Sequence, residues 1–78
     1  MFMKQNNKKI IELGKNIKKY RIAKSWTQKE FAEKLNCSRD YICKIENGKQ
    51  IPSLRNFFRI ADILEVKEKD LLIFQLDI

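Results

Sequence analysis

The sequence predicts an all-α fold of five short helices in a single domain, and three observations carry that prediction. Apolar residues recur at intervals of three and four along most of the 78-residue chain. Side chains that cap helix starts stand just ahead of the second, third and fourth of these apolar runs. There is no strand-like alternation of apolar and polar residues, no internal repeat and no low-complexity segment.

Taken in order, residues 1–7 are polar and read as a flexible lead-in, leaving 8–78 as the folded domain. Ile10, Leu13, Ile17 and Tyr20 share one helical face, which gives a first helix ending near Lys24. Ile11 and Ile22 lie off that stripe, either as exposed isoleucines or as a second contact face for the tail or a partner. Thr27 and Glu30 form a T-x-x-E capping box, so a second helix begins at Gln28 with Phe31, Ala32 and Leu35 turned inward. It stops at Asn36, the non-glycine residue type that best tolerates the left-handed backbone of a tight turn.

Ser38 caps a third helix of about nine residues, Arg39 to Asn47, with Ile42 and Ile45 on its buried side and Asn47-Gly48 at its end. Residues 49–52 form a loop. From Ser53 a fourth helix carries Leu54, Phe57, Phe58, Ala61 and Leu64 on one side. Residues 68–76, with Leu71, Leu72 and Phe74, read as a fifth helix or a helical turn with an apolar tail.

The formal net charge of +7 and a pI near 9.6 point to a polyanionic partner, nucleic acid ahead of acidic lipid. The charge is uneven: residues 1–24 hold eight Lys or Arg against one acid, whereas residues 65–78 hold two against four. No apolar run approaches the ~18 residues needed to span a bilayer, and no secretory signal opens the chain, so a cytoplasmic location is expected. Cys37 and Cys43 then read as two reduced thiols. With no histidine, a zinc site would have to be completed by carboxylates, so no metal or other cofactor is expected. No acid pair or nucleophile constellation stands out, which makes an enzyme the least supported class.

Two short helices separated by Asn36-Cys37-Ser38 have the spacing that sets a helix pair at a steep angle and projects the second outward, a shape that fills a DNA major groove. The alternative for adjacent amphipathic helices is a bundle hairpin, whose helices usually exceed two turns. On the third helix Arg39, Asp40, Cys43 and Lys44 share an outward face. Arg and Lys match the acceptors of guanine, and Asp can accept from cytosine, so this face suits base readout, against the plain alternative of a solvated surface. Gln28 at the start of the second helix, with Asn47, Lys49 and the amides around Ser53, can bracket that face with phosphate contacts.

From Leu13 to Leu72, about three quarters of the chain, the sequence resembles the lambda-repressor-like (Cro/Xre-type) helix-turn-helix regulators. The resemblance is carried by L-G-x-x-I-x-x-x-R (13–21), T-Q-x-x-F-A (27–32), S-x-x-Y-I-x-x-I-E-N-G (38–48) and P-S-L-x-x-F-x-x-I-A-x-x-L-x-V (52–66). The helix-helix turn carries Asn36 where the family usually has glycine. The resemblance implies a five-helix domain that binds double-stranded DNA and regulates transcription, with base readers at Arg39, Asp40, Lys44 and Cys43. It implies phosphate contacts from Thr27, Gln28, Ser38, Tyr41, Asn47 and Lys49, and an ion pair between Arg21 and Glu46.

The expected activity is that of a repressor bound as a homodimer to a two-fold symmetric operator, since a single module buries only roughly 600–1,000 Å² on DNA. The apolar surplus near the C-terminus places the dimer interface on Leu71, Leu72, Phe74, Leu76 and Ile78, with Phe58 of the fourth helix. The competing reading has those residues completing the monomer core over the first helix. Three other roles stay open: an antitoxin of the same fold that neutralises a toxin and autoregulates its operon, a restriction-modification controller, and a basic helical protein-interaction module.

Overall fold

The computed structural model describes residues 2–75, with side chains from residue 7 to residue 75. Its elements are α1 (Phe2–Ala23), α2 (Gln28–Leu35), α3 (Arg39–Glu46), α4 (Leu54–Leu64) and α5 (Glu68–Leu71), with no strand among the described residues. α3 packs against both α2 and α1, α4 closes the far side of the core against α2, and α5 bridges α4 and α1. None of these helices is long and apolar enough to cross a membrane.

The caps make the elements definite. The Thr27 hydroxyl accepts from the Glu30 amide while the Glu30 carboxylate accepts from the Thr27 amide, the reciprocal pair expected of a capping box. Asn36 takes φ 56°, ψ 47° and ends α2. Ser38 and Ser53 cap α3 and α4 by accepting from the amides of Tyr41 and Asn56. Two further non-glycine residues, Ser25 and Glu65, take left-handed conformations after α1 and α4.

The core joins Leu13 and Ile17 of α1, Phe31, Ala32 and Leu35 of α2, Ile42 and Ile45 of α3, and Ile60, Ala61 and Leu64 of α4. α1 crosses the end of α3 so closely that a Cβ on Gly14 would run into the carbonyl oxygen of Ile45 and come within 2.9 Å of that of Glu46. Gly48, at φ +71°, is likewise pressed against Ile11, which explains why Ile11 is only partly exposed although it lies off the core stripe.

Three expectations need correction, and one alternative is decided. The lead-in is helical from Phe2, because Met, Lys and Gln are good helix formers and neither glycine nor proline interrupts the run before Gly14. In α4 the buried stripe centres on Ile60, Ala61 and Leu64, leaving Leu54 67% and Phe58 47% exposed. That helix is apolar on more than one face, so its periodicity does not fix which face turns inward. Of the two readings of residues 68–76, the helical turn with an apolar tail holds: α5 has four residues, because the Asn16 side-chain amide donates to the carbonyls of Leu71 (2.9 Å) and Ile73 (2.8 Å) and ties the chain to α1 where the helix stops. As a result Leu71 is fully buried and Phe74 rests against the core, so Leu71 is not a surface residue available to a second subunit. Leu76 and Ile78, the remaining tail residues expected at a dimer interface, lie outside the described residues.

Candidate nucleic-acid interface

A buried ion pair fixes the angle at which α3 leaves the domain. Arg21 and Glu46 are 7% and 5% exposed, and the guanidinium meets the carboxylate with two bonds, Nε to Oε2 at 2.7 Å and Nη2 to Oε1 at 3.0 Å. The third nitrogen donates to the Trp26 carbonyl at 2.6 Å, so one side chain links the end of α1, the approach to α2 and the end of α3. Such a two-pronged geometry is available to arginine and not to lysine. Gln28 joins the network by donating from Nε2 to Glu46 Oε1 at 3.0 Å. Because an amide nitrogen carries two hydrogens, this bond orients Gln28 and leaves it a second donor.

The outward face of α3 carries Arg39, Asp40 and Lys44, all exposed, with Cys43 half-buried among them. Asp40 pairs with Lys44 at 3.1 Å, one helical turn on, rather than with Arg39. Arg39 is thus the exposed guanidinium at the leading end, and the Asp40 charge is offset within its own helix. Asn47, also exposed, donates to the Cys43 sulfur at 3.4 Å. Both cysteines are free thiols; burial pushes that of Cys37 up, against the lesser effect of the nearby Arg59.

The phosphate-contact candidates lie at both ends of α3. At its start are Ser38, which is exposed, and Tyr41, half-buried with its phenol oxygen accepting from Asn56 Nδ2 at 2.9 Å. At its end are Gln28, Asn47 and Lys49, the last folded back so that its amide donates to the Lys44 carbonyl at 2.8 Å. Thr27 sits exposed at the start of α2, where its amide holds the Glu30 carboxyl below the usual carboxylate range.

Two features escaped the sequence reading. Asn56 and Arg59 of α4 line up behind Tyr41, a placement latent in the S-x-x-N spacing after Pro52, which sets Asn56 on the first turn of α4. The Lys24 and Lys34 ammonium groups both lie over the Trp26 ring, at 5.9 and 4.6 Å from its centroid. Lys24 also pairs with Glu65, holding that carboxyl below its ordinary range.

Outside the polar face, an apolar groove of roughly 400 Å³ runs between the start of α4 and the chain after α5, lined by Leu13, Ile51, Pro52, Leu54, Phe57 and Leu72. Ile51, Leu54, Leu72 and Ile73 are each about half exposed or more.

A family model described as helix-turn-helix matches residues 17–71. An HTH-type transcriptional regulator of Methanocaldococcus jannaschii is 43% identical over 61 residues, 78% of this chain and 92% of that one. The ImmF control region 10 kDa protein of Bacillus phage phi105 is 40% identical over 55 residues, 70% of this chain and 61% of its own. Among solved structures, the restriction-modification controller protein C.AhdI of Aeromonas hydrophila superposes with a TM-score of 0.75 at 26% identity, covering 80% of this chain and 94% of that one. The hypothetical transcription factor NHTF of Neisseria does so with a TM-score of 0.79 at 27% identity, covering 85% and 74%.

Proposed function

This chain belongs to the lambda-repressor-like helix-turn-helix family of DNA-binding transcription regulators, and on that premise we propose that it is a cytoplasmic repressor that binds a two-fold symmetric operator as a homodimer. The observation that carries the reading is the outward face of α3. Arg39 and Lys44 stand there exposed, with half-buried Cys43 between them, on a helix whose end is locked to α1 by Arg21 and Glu46. A rigid helix with an exposed polar face can read base edges, because its side chains are positioned before DNA arrives. The second subunit packs on the exposed apolar residues of α4 and its flanks, Leu54, Phe58, Ile51 and Leu72, which replace the buried Leu71 as the interface.

Selection of bound duplexes from random DNA tests this directly, with a pair of inverted half-sites about one helical turn apart as the expected product. On the selected duplex, affinity should fall with salt by a log-log slope of roughly −0.9 per phosphate neutralised. Lys44→Ala should cost about 1–3 kcal/mol and relax base preference at one position, whereas Lys49→Ala should weaken all sequences alike. A flat salt response, or an unaltered preference in Lys44→Ala, would overturn the assignment.

The likeness to a restriction-modification controller and to a phage control-region protein favours a second reading of the setting. In it the operator governs either a restriction-modification system or a prophage switch, with the same face of α3 on the DNA.

A further inference from the structure

We infer that Asn56, itself oriented by Arg59, is a positioning residue that fixes the Tyr41 hydroxyl as a hydrogen-bond donor toward a DNA phosphate. The inference rests on the DNA-binding reading above and deepens it.

The argument is one of hydrogen-bond polarity. Ser53 accepts from the Asn56 amide at 3.1 Å, which places Asn56 on the first turn of α4, facing α3. Its side chain then meets two groups. Arg59 Nη1 reaches Asn56 Oδ1 at 3.5 Å, and Asn56 Nδ2 reaches the Tyr41 oxygen at 2.9 Å. A guanidinium carries only donors, so the oxygen of the Asn56 amide belongs on the Arg59 side and its nitrogen on the Tyr41 side. Tyr41 is thereby made to accept. A phenol has a single proton, and one that accepts from Asn56 must direct that proton elsewhere.

The direction is set by burial. Tyr41 and Asn56 are both half-buried, Tyr41 packs against the hydrophobic core, and Ser38 and Arg39 at the start of α3 are exposed, so solvent at the leading end of α3 is the side left for the phenol proton. A phosphate oxygen is an acceptor with no proton to give, so an outward donor suits it and an outward lone pair would repel it. The chain Arg59 to Asn56 to Tyr41 thus ends in a donor held ready before DNA arrives. It sits at the opposite end of α3 from the Gln28 amide, which Glu46 orients in the same manner. The recognition helix is bracketed by two neutral donors, each held by a partner from another helix.

The test uses the duplex that the wild-type chain selects from random DNA, together with Tyr41→Phe, Asn56→Asp and the double variant. Asp on the first turn of a helix is favourable for folding, so Asn56→Asp should melt no lower than wild type. Its carboxylate, however, can only accept, and so turns the phenol proton inward. Tyr41→Phe should lose roughly tenfold in affinity, the scale of one hydrogen bond to a charged group. Its salt slope should stay unchanged, because no cation is removed. Asn56→Asp should lose at least as much, and Tyr41→Phe should cost almost nothing further on top of it.

Ethylation of individual phosphates should interfere with wild-type binding at one position where it no longer matters in either single variant. Losses that multiply, or an ethylation pattern common to all four proteins, would overturn the positioning role while leaving DNA binding intact. Failure of the wild-type chain to bind any duplex at low salt would instead overturn the DNA-binding reading, and this inference with it.

Discussion

At the scale of single residues, the most consequential side chains are Arg21 and Glu46. Two opposite charges, each less than one-tenth exposed, are stabilising only while they are together, because removing one leaves the other desolvated and unpaired. Arg21→Ala and Glu46→Ala should therefore each cost up to roughly 3–5 kcal/mol in urea unfolding. The double variant should lose far less than the two combined. Additive losses would mean that the bonds at 2.7 and 3.0 Å do not hold in solution. The pairing was implied by family resemblance alone, since positions 25 residues apart show no periodicity that joins them. What the sequence could not disclose was the third member, Gln28, whose bond to Glu46 ties the expected phosphate-binding end of α2 to the ion pair. Asp40 is a similar case. Its partner proved to be Lys44, one turn along the same helix, and the i, i+4 spacing of the two was already present in the sequence.

Among the elements, α2 and α3 were legible because several local signals coincide. A cap, a short amphipathic stripe and a residue suited to the left-handed turn all fall at Thr27 to Asn36, and the structure uses each one. α4 was legible in extent but not in rotation, since seven apolar residues spread over more than half its circumference and only packing selects Ile60 for the core. α5 was legible only as a choice between a full helix and a helical turn, because what decides for the turn, the Asn16 amide on the carbonyls of Leu71 and Ile73, comes from more than 50 residues away. The crossing of α1 over α3 gives a prediction at this scale. In an ordinary helix Gly→Ala stabilises by roughly 0.5–1 kcal/mol. At Gly14, however, the added methyl meets two backbone carbonyls that cannot swing aside as a side chain would. Gly14→Ala should thus destabilise by at least about 1–3 kcal/mol, the usual cost of overpacking, and a thermal melt above that of wild type would refute so close an approach.

At the scale of the whole molecule, polar and apolar functions occupy different surfaces. Exposed polar residues lie on α3, whereas exposed large apolar residues lie on α4 and in the chain after α5. One surface can therefore carry DNA while the other carries a second subunit. The sequence showed six apolar residues among the last eight, more than a single helix can turn inward, and left open whether a second subunit or the monomer core covers them. It did not disclose which of them are left over, because that depends on how far Asn16 draws the tail against α1. With Leu71 buried and Phe74 on the core, the apolar residues left exposed on α4 and after α5, among the described residues, are Leu54, Phe58, Leu72 and Ile73. Phe58→Glu and Leu54→Glu alter side chains that already face solvent in the monomer, so helical content should be retained. Each should nevertheless shift sedimentation from dimer to monomer, because a carboxylate buried in an apolar interface has no partner there. Leu71→Glu should instead unfold the domain, which separates an interface residue from a core residue by circular dichroism. A monomer holds only one half-site, so Phe58→Glu should also bind the inverted repeat little better than a single half-site, whereas the wild type should prefer the repeat strongly. If Phe58→Glu and Leu54→Glu both remain dimeric and keep that preference, the second subunit packs on another surface.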